Sequence, residues 1–311
     1  MTQETKQRLI SDAVIIGLTG LMAGASELLS EREIIFPEIA ALAVGALAAP
    51  KRSWRTTRLR CIFYIALCAV LGLCVSVFVP LPVWAKVPLT FAVCQLLLIY
   101  SGTTFAPMIS AAVLPVLMCT ESVVYPVSAV VMTALIMLAE LILTKADIRP
   151  KESFVPLPKP QKRELIDLLV RCAAASAIAA AAIIGGVRFL AAPPLLVAFT
   201  EFSNRSCPAR SKPVKTVLVI GLCGLAGALC RGAVCLLPAV PLTAAAMLAA
   251  GLALLVMRTS GLFLPPAGAL AILPMIIPRD ALMLYPVQVL AGASLFMTAA
   301  LCLFRKEKAT E

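Results

Sequence analysis

The chain has 311 residues, 61% of them hydrophobic and 14% charged, with a mean hydropathy of +0.99 and a net charge of +11. Soluble domains lie nearer about 45–50% apolar and about a quarter charged, so a soluble globular fold is excluded. The chain has no histidine, which removes His-activated nucleophiles, HExxH metal sites and haem ligation, and its 11 cysteines form no C-x-x-C pair.

The apolar residues come in long runs, and a backbone in lipid must satisfy its own hydrogen bonds, so the runs predict helices. The short alternating segments of a β-barrel are absent. The first run, 13–25, follows Lys6 and Arg8 but carries Asp12, leads past Glu27 into further spans and shows no cleavage site, so it is read as a retained helix. Elements are expected near 10–29 and 34–50, then 61–79, 86–101, 104–119 and 122–143. After a linker at 145–163, rich in charge and Pro (Pro150, Pro156, Pro158, Pro160), they continue near 165–188, 190–204, 216–236, 240–258, 262–277 and 281–303. The fold class is therefore all-α: a polytopic transmembrane helical bundle of twelve membrane elements, the short ones either crossing fully or re-entering.

Basic residues gather at Lys6 and Arg8, at Lys51 to Arg60, at Lys145 to Arg163, at Arg205 to Lys215, and at Arg305, Lys306 and Lys308. The intervals between these clusters each hold an even number of elements, so all five fit the cytoplasmic side of an inner membrane, with both termini inside. No basic patch lies outside these loops, so the charge argues for a lipid bilayer as partner and against nucleic acid.

The chain reads as two parallel six-element repeats, 1–144 and 164–304, joined by the 145–163 linker and closed by a 305–311 tail. SGTTFAPMISAAVLPVLM, from Ser101 to Met118, recurs as SGLFLPPAGALAILPMII, from Ser260 to Ile277, at an offset of 159. Tyr125-Pro126-Val127 recurs as Tyr285-Pro286-Val287 at an offset of 160. Within each half, two short elements open with Pro and then small residues: Pro37 and Pro107, then Pro194 and Pro266. This suggests nested three-element inverted repeats.

Pro suits a first helical position, and each such start presents the positive end of a helix dipole. If the short elements are broken or re-entrant, these ends converge on a small anion; if they are ordinary short spans, their small residues serve close packing. The Ser-Gly turns ahead of two of them nominate Ser101, Thr103 and Ser110, facing Arg258, Ser260 and Gly268, as substrate-binding residues. Glu38 and Glu201 are ionisable groups placed in spans and are the coupling candidates. Glu140, Arg171 and Arg188 lie near span ends, where side chains usually reach the interface.

The stretch 190–280 resembles the HPP family of integral membrane proteins. The resemblance lies in Arg258-Thr259 followed by Leu264-Pro265-Pro266-Ala267-Gly268-Ala269-Leu270-Ala271, in Cys207-Pro208 through Pro213-Val214-Lys215, and in the Gly-rich helix from Gly221 to Gly227. Family members carry His-Pro-Pro-Ala-Gly, where this chain has Leu264 for the His and three residues inserted before the Pro pair. Some members are linked to nitrite transport, so the resemblance implies a small anion. The leading expectation is a transporter or channel for a small solute, most of all a small anion; the alternative is a protein that handles lipid or its headgroups. With no histidine, no carboxylate pair and no Ser/Lys dyad in the spans, no catalytic residue, metal ligand or cofactor is expected.

Overall fold

The computed structural model describes residues 3–237 and 239–305, and the tail beyond Arg305, with Lys306 and Lys308 of the last basic cluster, lies outside them. The helices in chain order are α1 (Gln3–Leu29), α2 (Glu38–Ala43), α3 (Arg58–Phe78), α4 (Val83–Tyr100), α5 (Pro107–Met118), α6 (Val124–Lys145) and α7 (Lys162–Ile184). They continue with α8 (Pro193–Ser203), α9 (Pro213–Leu236), α10 (Leu242–Ser260), α11 (Pro265–Ile272), α12 (Arg279–Leu282) and α13 (Tyr285–Leu303). Among the described residues there is no strand. Eight helices (α1, α3, α4, α6, α7, α9, α10, α13) are long and apolar enough to cross a membrane. Even α4, with 18 residues, is about 27 Å long, close to the thickness of a hydrocarbon core. The chain is a multi-pass helical membrane protein.

The other apolar elements are too short to cross as helices. Helix α5 has 12 residues, about 18 Å, and α8 has 11. The expected element at 34–50 is the most broken: a 3₁₀ turn at Arg32–Ile34, then α2, then a π-helical stretch at Val44–Ala48. Every residue of α2 and α11 is buried, as is all of α5 except Met118 and all of α8 except Glu201. That is why these segments are apolar all round: none has a face outside the bundle.

The four short helices pack as a ring, α2 on α5, α5 on α8, α8 on α11 and α11 on α2. Long helices wrap it. Helix α3 lies on α5 and α9 on α11; α4 packs on α7 and α10 on α1. Two glycines allow the closest approaches. A Cβ at Gly72 in α3 would collide with the Ala112 carbonyl of α5, and one at Gly227 in α9 with the Ala271 carbonyl of α11.

The two Leu-Pro pairs and two Tyr-Pro pairs have a common explanation. Pro115 has no N–H to give the Ala111 carbonyl one turn back; the Tyr125 hydroxyl donates to that oxygen instead, at 2.8 Å. Pro274 likewise cannot serve Leu270, whose carbonyl accepts from the Tyr285 hydroxyl at 2.7 Å. Each tyrosine is buried and meets a phenylalanine edge-on, Phe36–Tyr125 at 5.9 Å and Phe189–Tyr285 at 5.7 Å between ring centroids.

The linker is fixed to the start of the chain's basic cluster. Arg149 donates to the Leu47 carbonyl and, at 3.1 Å, to that of Ala49, tying off the π-helical end of α2. Burial at this spot lowers the pKa of Arg149 from its ordinary value. Glu152 accepts from the Arg52 amide at 2.8 Å, and the Leu157 amide donates to the Gly102 carbonyl at 2.8 Å. Below them Glu140, 4% exposed, holds Arg52 at 2.5 Å and also Arg58. Its place near a span end predicts that Glu140 reaches the interface; it is instead the buried partner of two arginines.

Candidate functional site

The ring brings helix starts together. Pro37 precedes α2, so Glu38 is its first residue, and Pro107 opens α5, which puts Ser110 in the first turn. The Ser110 hydroxyl donates to Oε1 of Glu38. Both residues are 1% exposed, and Oε2 of Glu38 has no hydrogen-bond partner. Among the described residues no Lys or Arg pairs with this carboxylate. Helix α11 closes the third side: a Cβ on Gly268 would lie 3.0 Å from the Ala40 carbonyl oxygen and 3.2 Å from Val44, so α2 and α11 meet backbone to backbone. Tyr125 holds the junction from behind, through Phe36 on one side and Ala111 on the other.

The backbone amides here are largely engaged. Met108 and Ile109 donate to the carbonyls of Phe105 and Ala106, and Ala267 donates to Leu264. What the junction offers is a carboxylate with one open oxygen beside a hydroxyl, more than an array of free N–H donors.

The other expected residues take different places. Ser101 and Ser260 close their own turns in the same way. Ser101 Oγ donates to Leu98 at 2.7 Å and accepts from the Thr103 amide at 3.1 Å; Ser260 Oγ donates to Met257 at 2.9 Å and accepts from the Leu262 amide at 3.3 Å. The glycine between has positive φ in both, +67° at Gly102 and +66° at Gly261. Thr103 Oγ1 also meets Ser101 Oγ at 2.8 Å. Arg258 grips Asp12 with two bonds, Nε to Oδ2 at 2.7 Å and Nη2 to Oδ1 at 2.5 Å, tying α10 to α1 with Phe263 beneath the guanidinium. It joins neither Ser101 nor Gly268 in any bond among the described residues.

Glu201, on α8, accepts from the Trp54 indole N–H at 3.1 Å. Trp54 is buried, meets Phe105 edge-on at 5.4 Å, and lies where any side chain on Gly45 would be. The neighbouring Thr200 hydroxyl accepts from Gln95 Nε2 at 2.6 Å, and Gln95 Oε1 accepts from Arg171 at 2.9 Å. A polar line thus runs from α7 through α4 to α8. Sequence reasoning missed Trp54, Gln95 and Thr200. The available signal was that Gln95 is an uncharged but strongly polar residue inside an apolar run. No group of three or more metal-ligating side chains occurs among the described residues.

Comparison with known proteins gives no match. No family model fits the chain, and neither a curated protein nor a solved structure is similar to it. The HPP resemblance rests on the quoted residues alone.

Proposed function

We propose that this protein is a secondary transporter of a small solute, working from the junction of the short helices with Glu38 as its coupling group. The observation that carries the reading is the buried Glu38–Ser110 pair with one carboxylate oxygen unpartnered. An ionisable group deep in a membrane protein is costly and is kept where it serves a pathway. With no basic side chain bound to it, the carboxylate is balanced by a proton or a small cation, and that exchange is the coupling event. Glu201 is the second such carboxylate, held by a neutral indole.

A small anion, the substrate class expected from Arg258 and the Ser-Gly turns, draws no support from the geometry. Arg258 is bound to Asp12, and the serine hydroxyls close their own turns. We therefore place neutralisation of Glu38, not an anion on Arg258, at the centre of the mechanism.

We read the architecture as two six-element repeats, 1–144 and 164–304, about an axis along the membrane normal. The order long-short-long-long-short-long recurs in each half, which also fits the nested three-element inversion. Matching turns at Ser101 and Ser260, matching Tyr–carbonyl bonds, and the paired contacts α4–α7 with α10–α1 and α5–α8 with α11–α2 support it. On this reading both termini and the 145–163 linker face the cytoplasm from an inner membrane.

One observation favours the second reading, lipid handling. A shallow, open groove of about 310 Å³, lined by Tyr64, Val93, Leu96, Leu97, Tyr100 and Ser101, lies on the flank of α3 and α4. It lies outside the ring, so it does not coincide with Glu38 or Glu201.

The test is the thermal stability of purified protein against a panel of small solutes at two pH values, since a ligand specific to the native state raises the midpoint. Solute-dependent stabilisation that changes with pH in the native protein and loses its pH dependence in Glu38→Gln is expected. Equal pH dependence in both proteins overturns the role of Glu38.

A further inference from the structure

We propose that the groove between α3 and α4 seats one anionic phospholipid, its acyl chain along Val93, Leu96 and Leu97 and its phosphate on Arg60. The groove is amphipathic along its length. One end is apolar; the other is polar, where the Ser101 carbonyl accepts from Arg60 Nη1 at 3.2 Å and from the Tyr64 hydroxyl at 3.4 Å. Tyr100, 66% exposed, stands at the same end. An aromatic pair beside a cation is the arrangement that side chains adopt at headgroup level.

The charge of Arg60 decides the ligand class. Its neighbours Arg52 and Arg58 share Glu140, whereas Arg60 has no carboxylate partner among the described residues. Its guanidinium uses one N–H on Ser101 and stacks over Phe154 at 4.8 Å. The remaining donors of its planar guanidinium and the whole unit charge are left for an oxyanion, and Arg binds phosphate in two-pronged fashion. A zwitterionic headgroup would bring its own cation to the same spot. The apolar bed excludes a free anion as sufficient occupant, because six lining residues supply only the Tyr and Ser hydroxyls as polar side-chain groups.

This site is independent of Glu38, and its test does not read transport. The full chain in detergent is mixed with phosphatidylglycerol, with phosphatidylcholine of the same chains, or with inorganic phosphate. Retained lipid is counted by native mass spectrometry alongside the melting midpoint. One phosphatidylglycerol is expected to stay bound and to raise the midpoint, while the other two additions do not. Arg60→Gln is expected to weaken that retention about tenfold, the scale of one charge-assisted hydrogen bond. Leu97→Trp, which fills the bed and keeps the charge, is expected to weaken it as well. Equal retention of both lipids, stabilisation by phosphate alone, or retention of phosphatidylglycerol unchanged in both variants overturns the proposal.

Discussion

Tyr125→Phe removes one oxygen and leaves the ring, so its contact with Phe36 survives while the Ala111 carbonyl loses its donor. That carbonyl is inside α5, a helix with all but its last residue buried, and Pro115 cannot replace the lost bond. Leaving a buried acceptor unsatisfied costs about 1–3 kcal/mol. The lost partner can be supplied from within the helix. In Pro115→Ala the residue regains an N–H one turn beyond Ala111, so the double variant Tyr125→Phe with Pro115→Ala recovers much of the loss. A double-mutant cycle, measured as detergent-solubilised thermal or denaturant unfolding, is expected to show a coupling of about 1 kcal/mol or more between the two positions. Tyr285→Phe with Pro274→Ala should repeat the pattern at Leu270. Costs that simply add, with no rescue by the new N–H, would refute the argument that these tyrosines serve carbonyls orphaned by proline.

Gly227→Ala places a Cβ 2.7 Å from the Ala271 carbonyl carbon, where ordinary contact begins at 3.4 Å, so α9 and α11 must part by ~0.7 Å or more at a cost of about 1–3 kcal/mol. Gly232→Ala, on the same helix with nothing within 4 Å, should instead be neutral or stabilising by up to about 1 kcal/mol in the same melting assay; equal effects of the two would show that the close approach carries no energy. Single cysteines at Ser53, Ser153 and Ser211, all exposed, should resist impermeant labelling from outside intact cells once the native cysteines are removed; labelling of any one would break the cytoplasmic assignment of the basic loops. Trp54→Phe should take away both the indole ring edge that packs on Gly45 and the donor to Glu201, lowering stability by about 1–3 kcal/mol; a double variant with Glu201→Gln that costs as much as both singles together would place Glu201 elsewhere.

Much of the fold was legible because lipid enforces one rule on every run: long apolar segments become helices. The boundaries expected for α3, α4, α6, α9 and α10 fall within a few residues of those observed. The recurrence of Leu-Pro and Tyr-Pro was visible too, but its cause was not, since a hydroxyl finding a proline-orphaned carbonyl is a tertiary event between α5 and α6. The 34–50 stretch reads as one continuous short element, crossing or re-entrant, because hydropathy cannot register the 3₁₀ and π-helical turns flanking α2. Glu38 and Glu201 stood out as carboxylates in apolar surroundings, and their partners Ser110 and Trp54 come from 72 and 147 residues away. Arg258 looked available because Asp12, its partner, is 246 residues distant. Charge pairing over that separation leaves no local pattern.

The central claim is that neutralisation of Glu38 drives solute movement. The measurement that tests it most directly uses proteoliposomes and the solute that stabilises the protein, comparing accumulation under an imposed pH or sodium gradient with gradient-free exchange of labelled for unlabelled solute. The native protein should accumulate solute under one of the two gradients, and Glu38→Gln should exchange solute without accumulating it. Accumulation by Glu38→Gln under the same gradient, at the native rate, would contradict the account.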